Sequence, residues 1–222
     1  MISSAKEYID SFICEINDEI QWKYIKSYRE LKKEIGDIVF YIGFKSSKYN
    51  NINTHIEIRS GCYVCCRAYE KIPGVDPYIL GYPLLDDHEY WWDITNDNRE
   101  KIKSELVAEI KAKIIPLVEA LETDFNSGLQ ALSSSGKYHS YWNSLMFFDE
   151  YLGRDKAIEI AQTYVDQFTK ADRHLACQYL KGENTLINEH NLKYLIDNNL
   201  VDMKVLVEKR GIFSKLFGSK NK

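Results

Sequence analysis

After Ile20 the spacing of apolar side chains changes from helical to alternating, and no other feature constrains the fold as much. Ala5, Tyr8, Ile9, Phe12, Ile13, Ile16 and Ile20 recur every three or four residues, the period of an amphipathic helix. Ser4 and Glu7 open that helix as a capping box, the serine hydroxyl accepting from the amide that Glu7 supplies. Trp22, Tyr24, Lys26 and Tyr28 then fall on alternate positions, Glu34-Ile35-Gly36-Asp37 supplies a turn, and Ile38, Phe40, Ile42 and Phe44 alternate again. Two antiparallel strands are predicted, with two more over His55–Arg59 and Tyr63–Tyr69 meeting at Ser60-Gly61. Pro73, Pro77 and Pro83 follow; lacking an amide hydrogen, they imply irregular chain or a sheet edge.

The helical period returns near Asn96, a short polar side chain suited to a first turn, with Asp97 at the positive end of the dipole. Ile102, Leu106, Ile110, Ile114, Leu117, Val118, Leu121 and Phe125 make one apolar stripe. Pro116 interrupts it and is expected to kink the helix, at roughly 3 kcal/mol if nothing compensates. Asn126-Ser127-Gly128 and Ser133-Ser134-Ser135-Gly136 read as a linker. Helical patterns follow around Trp142–Leu152, Ala157–Phe168, Leu175–Leu180 and Leu192–Ile196, the last capped by Asn188. Gly153 to Ile158 echoes a tetratricopeptide turn, but the echo does not recur. The fold class predicted is α+β: an N-terminal helix, an antiparallel sheet of about four strands and a long helix, followed by an all-helical part. The expected divisions are residues 1–132, 137–208 and 209–222.

Charge narrows the partners. The net charge of −4 includes Lys209, Arg210, Lys215, Lys220 and Lys222 in the last fourteen residues, which hold no acid, so the first 208 residues carry −9. Phosphate contacts need clustered cations, and an acidic body argues against nucleic acid as the main ligand. An acidic surface attracts a basic protein partner instead. Five cysteines, an odd number without framework spacing, are expected as free thiols. Charges throughout the N-terminal segment leave no apolar leader or span, which makes the cytoplasm the expected compartment.

Chemistry-bearing groups are sparse. Cys62 and Cys65 have the spacing of a zinc pair, but Tyr63-Val64 favours extended chain, and no second pair exists to complete four ligands. The histidines are scattered, no phosphate-binding glycine loop is present, and no nucleophile–base pair is legible, so no catalytic residue, metal ligand or cofactor is expected. Asp86, Asp87, His88 and Glu89, with Asp93 behind them, form an acidic run. A metal-assisted hydrolase built on that run is the alternative to a solvated loop that receives a partner. Trp91 and Trp92 beside it are either anchors of the long helix or a binding hot spot. In the tail, Phe213, Leu216 and Phe217 share one helical face with Lys215 toward the other, a pattern for weak membrane contact or for docking on the acidic body.

Lys32 to Asp37, Phe44 to Asn50 and Trp91 to Ile94 before the long helix resemble uncharacterised bacterial domains of unknown function. Some of those are similar to immunity proteins encoded beside secreted toxins. The resemblance covers residues 1–125 and implies a small antiparallel sheet flanked by helices, with no catalytic residue to carry over. Together these observations predict a non-catalytic interaction protein of an immunity-like or adaptor kind.

Overall fold

A computed structural model of the chain describes residues 4–84, 91–95, 97–135, 142–183, 189–202, 204 and 206. The chain falls into two compact units, Met1–Lys137 and Tyr138–Lys222.

In the first unit, α1 (Ala5–Ile20) opens where the Ser4 hydroxyl accepts from the Glu7 amide at 3.2 Å, and it buries Tyr8, Ile9, Phe12, Ile13, Ile16 and Ile20. Gln21 stops it in the left-handed region, at φ 59°. The Asn17 side chain then pairs with both backbone groups of Trp22, each at 2.9 Å, and sets the angle at which the chain leaves for the sheet.

The sheet is antiparallel and contains β1 (Lys23–Ile25), β2 (Glu30–Ile35), β3 (Ile38–Ser46), β4 (Glu57–Cys66), β5 (Tyr78–Pro83) and β6 (Trp92–Asp93). Its order is β1-β2-β3-β4-β5, with β6 also on β4. The α+β class follows the change of period, but the strands exceed the expected four and their bounds differ from those expected. The alternation from Trp22 to Tyr28 yields only β1, because the chain turns over Lys26–Arg29, with Arg29 at φ 55°. The strand entering the Gly36 turn is β2, whose Lys32, Lys33 and Glu34 concealed it and are held by ion pairs. Ser60-Gly61 is not a turn: β4 runs through it, with Gly61 paired to Gly43. Finally, β5 and β6 lie on the same side of β4, Pro83 opposite Gly61 and Trp92 opposite Ile58. Both lie along the edge of the sheet, and Pro83 sits there, where its missing donor is tolerated.

One face of the sheet is core. Leu31, Ile38, Phe40, Ile42, Phe44, Ile58, Cys62, Val64 and Cys66 alternate onto it and are buried. Two polar knots fasten helices to this layer. Asp10, buried on α1, accepts from Tyr24 Oη at 3.3 Å and Arg29 Nε at 3.1 Å, while Arg29 Nη1 donates to Ser46 Oγ at 2.8 Å. Arg99 lies over the Tyr8 ring at 4.4 Å and pairs with Glu15 at 2.6 Å. Burial raises the Glu15 pKa, but the Arg99 guanidinium, the Ser11 hydroxyl and Lys103 outweigh it and hold the carboxyl below its ordinary value.

The long helix begins at Arg99 rather than near Asn96, which lies outside the described residues; Asn98 occupies the cap position without a side-chain bond. It runs as α2 (Arg99–Glu109), one π-helical turn over Ile110–Ile114, and α3 (Ile115–Thr123). The wide turn answers Pro116. The Ile115 amide reaches back five residues to the Ile110 carbonyl, which relieves the clash the proline ring would meet in a regular helix. Leu106, Ile110, Ile114, Leu117, Val118 and Leu121 all remain buried.

The serine-rich stretch read as a linker is a helix, α4 (Phe125–Ser135). A Cβ on Gly128 would lie 2.5 Å from the Leu121 backbone, so the glycine is there for close packing of α4 on α3. The hydroxyls of Ser133 and Ser134 bond back to the Gln130 carbonyl, and Ser135 to that of Leu132, which lets serines sit in a helix without breaking it.

The second unit contains α5 (Ser144–Leu152), α6 (Arg154–Asp166), α7 (Lys170–Leu180) and α8 (His190–Asp197). Trp142 precedes α5 but is buried, whereas Ile158 and Leu180, read as apolar-face positions, are exposed. Asn188 lies outside the described residues, and Glu189 holds the cap position of α8. The unit is centred on Asn191, fully buried, which accepts from the Leu145 amide at 2.8 Å and donates to Ser144 Oγ at 3.2 Å. It thereby caps α5 from α8. Asn191→Ala is expected to cost about 2 kcal/mol, because the Leu145 amide loses its buried side-chain acceptor. Urea titration read by circular dichroism measures this; an unchanged midpoint would show that the cap carries no weight.

Candidate functional site

The opposite face of the sheet buries Val39 and Cys65 and is otherwise half-buried or exposed over much of its area. Glu30, Lys32, Tyr41, Gly43, Tyr63, Gly61 and Arg59 alternate onto it, half-buried, with Lys45, Glu34 and Tyr78 exposed. Register sets the pattern. Glu30, Gly43, Gly61 and Pro83 are successive cross-strand partners and form a row with almost no side-chain bulk beyond Glu30. Lys32, Tyr41, Tyr63 and Gly81 form the next row.

The Tyr63 side chain comes near the glycine row. Its Cε2 is 3.8 Å from where a Gly43 Cβ would stand, and its hydroxyl 3.7 Å from the same point on Gly61. Glu30 Cγ approaches the Gly43 point to 4.0 Å. Tyr78 meets Tyr63 edge-on, with centroids 5.9 Å apart. Lys32 pairs with Glu34, which also takes Arg67 at 2.6 Å, and its ammonium sits 5.4 Å from the Tyr41 ring. At the β6 end, the Arg59 guanidinium lies 5.2 Å from the ring of Trp91, which is 40% exposed.

Titration on this face runs against nucleophilic chemistry. Burial, with Glu70 and Asp76 adding negative charge, pushes the Cys65 thiol up, away from the reactive thiolate. Burial likewise pushes Tyr78 up to about 12, helped by Cys65 and Glu30, and raises Tyr41 against the pull of Lys32. Glu30 is raised by burial, with only Lys32 opposing. Thiol and phenols are therefore neutral at physiological pH and can donate hydrogen bonds and stack; none is activated to attack.

Of the residues singled out from sequence, Trp91 stands at the rim of this face, and Trp92 is half-buried in β6 opposite Ile58. Asp86, Asp87, His88 and Glu89 lie outside the described residues, as do Lys215, Phe213, Leu216 and Phe217. Asp93 is used structurally: it accepts from the Thr95 amide at 2.9 Å. Cys62, Cys65 and Cys66 are buried free thiols, and all five cysteines are free. Among the described residues no group of three or more His, Cys, Asp or Glu could hold a metal ion, and no helix is long and apolar enough to cross a membrane. Sequence reading passed over Glu30, Tyr41, Tyr63 and Tyr78. The available signal was Gly61 between aromatic residues, taken as turn material although β4 runs through it.

No protein-family model matches the chain, and no curated protein or solved structure matches it.

Proposed function

We propose that this chain is a non-catalytic intracellular interaction protein, of the adaptor or immunity kind, whose partner docks on the outer sheet face at its β6 rim. The observation that carries this reading is Trp91. A tryptophan 40% exposed and backed by the Arg59 guanidinium presents a large ring already oriented for contact, the type of side chain in which binding energy concentrates. Three further features support it. Tyr63 and Tyr78 continue the aromatic surface inward, the titratable groups around them are neutral or unactivated, and the acidic run from Asp86 to Glu89 lies just before Trp91 in the sequence. Free thiols accord with a reducing compartment.

A −9 body favours a basic partner, with charge setting the rate of encounter and the aromatic contacts setting residence time. Trp91→Ala is expected to weaken the complex by about 2 kcal/mol, roughly thirtyfold in Kd, while leaving the melting temperature near that of the wild type. Isothermal titration against the partner recovered by affinity capture reads both constants. An unchanged Kd would reject the rim as the contact.

A further inference from the structure

Tyr28 and Tyr49 are 73% and 69% exposed, more than any other large apolar side chain among the described residues. Both stand at one end of the first unit's sheet. Tyr28 lies in the turn from β1 to β2 and Tyr49 in the connection from β3 to β4, and the two segments are tied together: the Arg29 carbonyl accepts from the Phe44 amide at 3.0 Å, and Arg29 Nη1 donates to Ser46 Oγ at 2.8 Å. Neither segment is loose chain. The Tyr28 amide donates to the Ile25 carbonyl and the Tyr49 amide to Ser47 Oγ, each at 3.2 Å, while the Asn50 side chain holds both backbone groups of Glu57, at 2.8 and 2.7 Å. A single exposed apolar side chain is normal on any surface; two rings held out on braced connections at the same end of a sheet mark a contact site. Charge there also runs against the rest of the chain. Residues 21–29 and 38–56 hold Lys23, Lys26, Arg29, Lys45 and Lys48 and no acid, in a chain where about one residue in seven is Asp or Glu. The Lys48 ammonium lies 4.9 Å from the Tyr49 ring, and the four lysines are exposed. Three acids border the patch: Asp10, which is buried and taken by Arg29, with Lys26 at 4.0 Å, and Glu30 and Glu57, the first residues of β2 and β4.

We infer that this end of the sheet is a second interaction surface, which takes an acidic segment of a partner protein, its carboxylates on the lysines and its apolar side chains on the two tyrosine rings. It stands independently of the Trp91 rim and has the opposite polarity. Tyrosine offers a rigid, amphipathic contact at little entropic cost, and the Ser, Asn and Lys side chains around Tyr49 offer adaptable donors, the composition of a protein-binding loop. The surrounding field favours a short segment over a nucleic acid strand. A body carrying −9 repels a long polyanion, whereas a few carboxylates held against the patch feel mainly the cations within a Debye length, about 8 Å at physiological salt.

The test uses the full chain and three probes followed by amide chemical shifts: the peptide acetyl-Glu-Leu-Glu-Glu-Leu-Glu amide, the same peptide with glutamine in place of each glutamate, and hexathymidylate. The acidic peptide is expected to give saturable shifts at residues 26, 28, 45, 48 and 49, with the glutamine peptide at least about tenfold weaker. Tyr28→Ser with Tyr49→Ser is expected to weaken the acidic peptide about tenfold, as is Lys45→Gln with Lys48→Gln. Both double variants should melt within a few degrees of the wild type, because all four side chains are exposed. Non-specific attraction would respond to the lysine changes and leave the tyrosine changes without effect, and that result would overturn the inference. So would shifts that miss these residues, equal affinity for the acidic and glutamine peptides, or hexathymidylate binding as tightly as the acidic peptide, which would assign the surface to single strands.

Discussion

Gly128→Ala is expected to destabilise the first unit by about 3 kcal/mol or more. Ala is ordinarily the better helix former, and in an exposed helix the change would gain about 1 kcal/mol. Here the new Cβ would stand 2.5 Å from both the nitrogen and the Cα of Leu121 and 2.8 Å from its Cδ2. A side chain can rotate away, but a backbone cannot without moving its helix. The expected sign is therefore opposite to what propensity gives. Urea unfolding followed by tryptophan fluorescence tests it, with Ser127→Ala, exposed one residue earlier, as the control that should change stability little. A stabilised Gly128→Ala would mean that α3 and α4 do not approach this closely.

Asp10→Ala is expected to cost about 3 kcal/mol. Asp10 is the anion of a knot in which Arg29, its side chain only 19% exposed, also reaches Ser46 and holds a left-handed backbone at φ 55°. Removing the carboxylate leaves a mostly desolvated guanidinium without its counter-charge, a far more expensive state than losing a surface pair. Tyr24 loses its acceptor at the same time. The double variant Asp10→Ala, Arg29→Ala should be more stable than the sum of the two single changes predicts, because the stranded charge is gone. Thermal denaturation of the four proteins gives the coupling energy. Strict additivity would show that the ion pair contributes nothing.

The elements legible in the sequence were those where one physical signal dominated. The α1 stripe and its Ser4 cap, the Gly36 turn and the alternation of β3 each followed from spacing alone. What was missed had a second use for a familiar residue. Gly61 looked like a turn but lies inside β4, and Gly128 looked like linker but admits a neighbouring helix. Charges in β2 concealed a strand because they are paired across and beyond the sheet, and Pro116 announced a kink that a π turn absorbs. The candidate site was only partly visible for a related reason. Trp91 is conspicuous in any sequence, whereas the Glu30–Gly43–Gly61–Pro83 row exists only once four strands are in register.

The most direct test is affinity capture from a lysate of the native cells with the wild-type chain, Trp91→Ala and Glu30→Gln side by side, each first shown to melt within a few degrees of the wild type or above it, with bound proteins quantified. The outer sheet face as the contact predicts one partner, basic in composition, recovered by the wild type and depleted at least fivefold by Trp91→Ala. Recovery of the same partner in equal amounts by all three proteins would place the contact elsewhere on the chain.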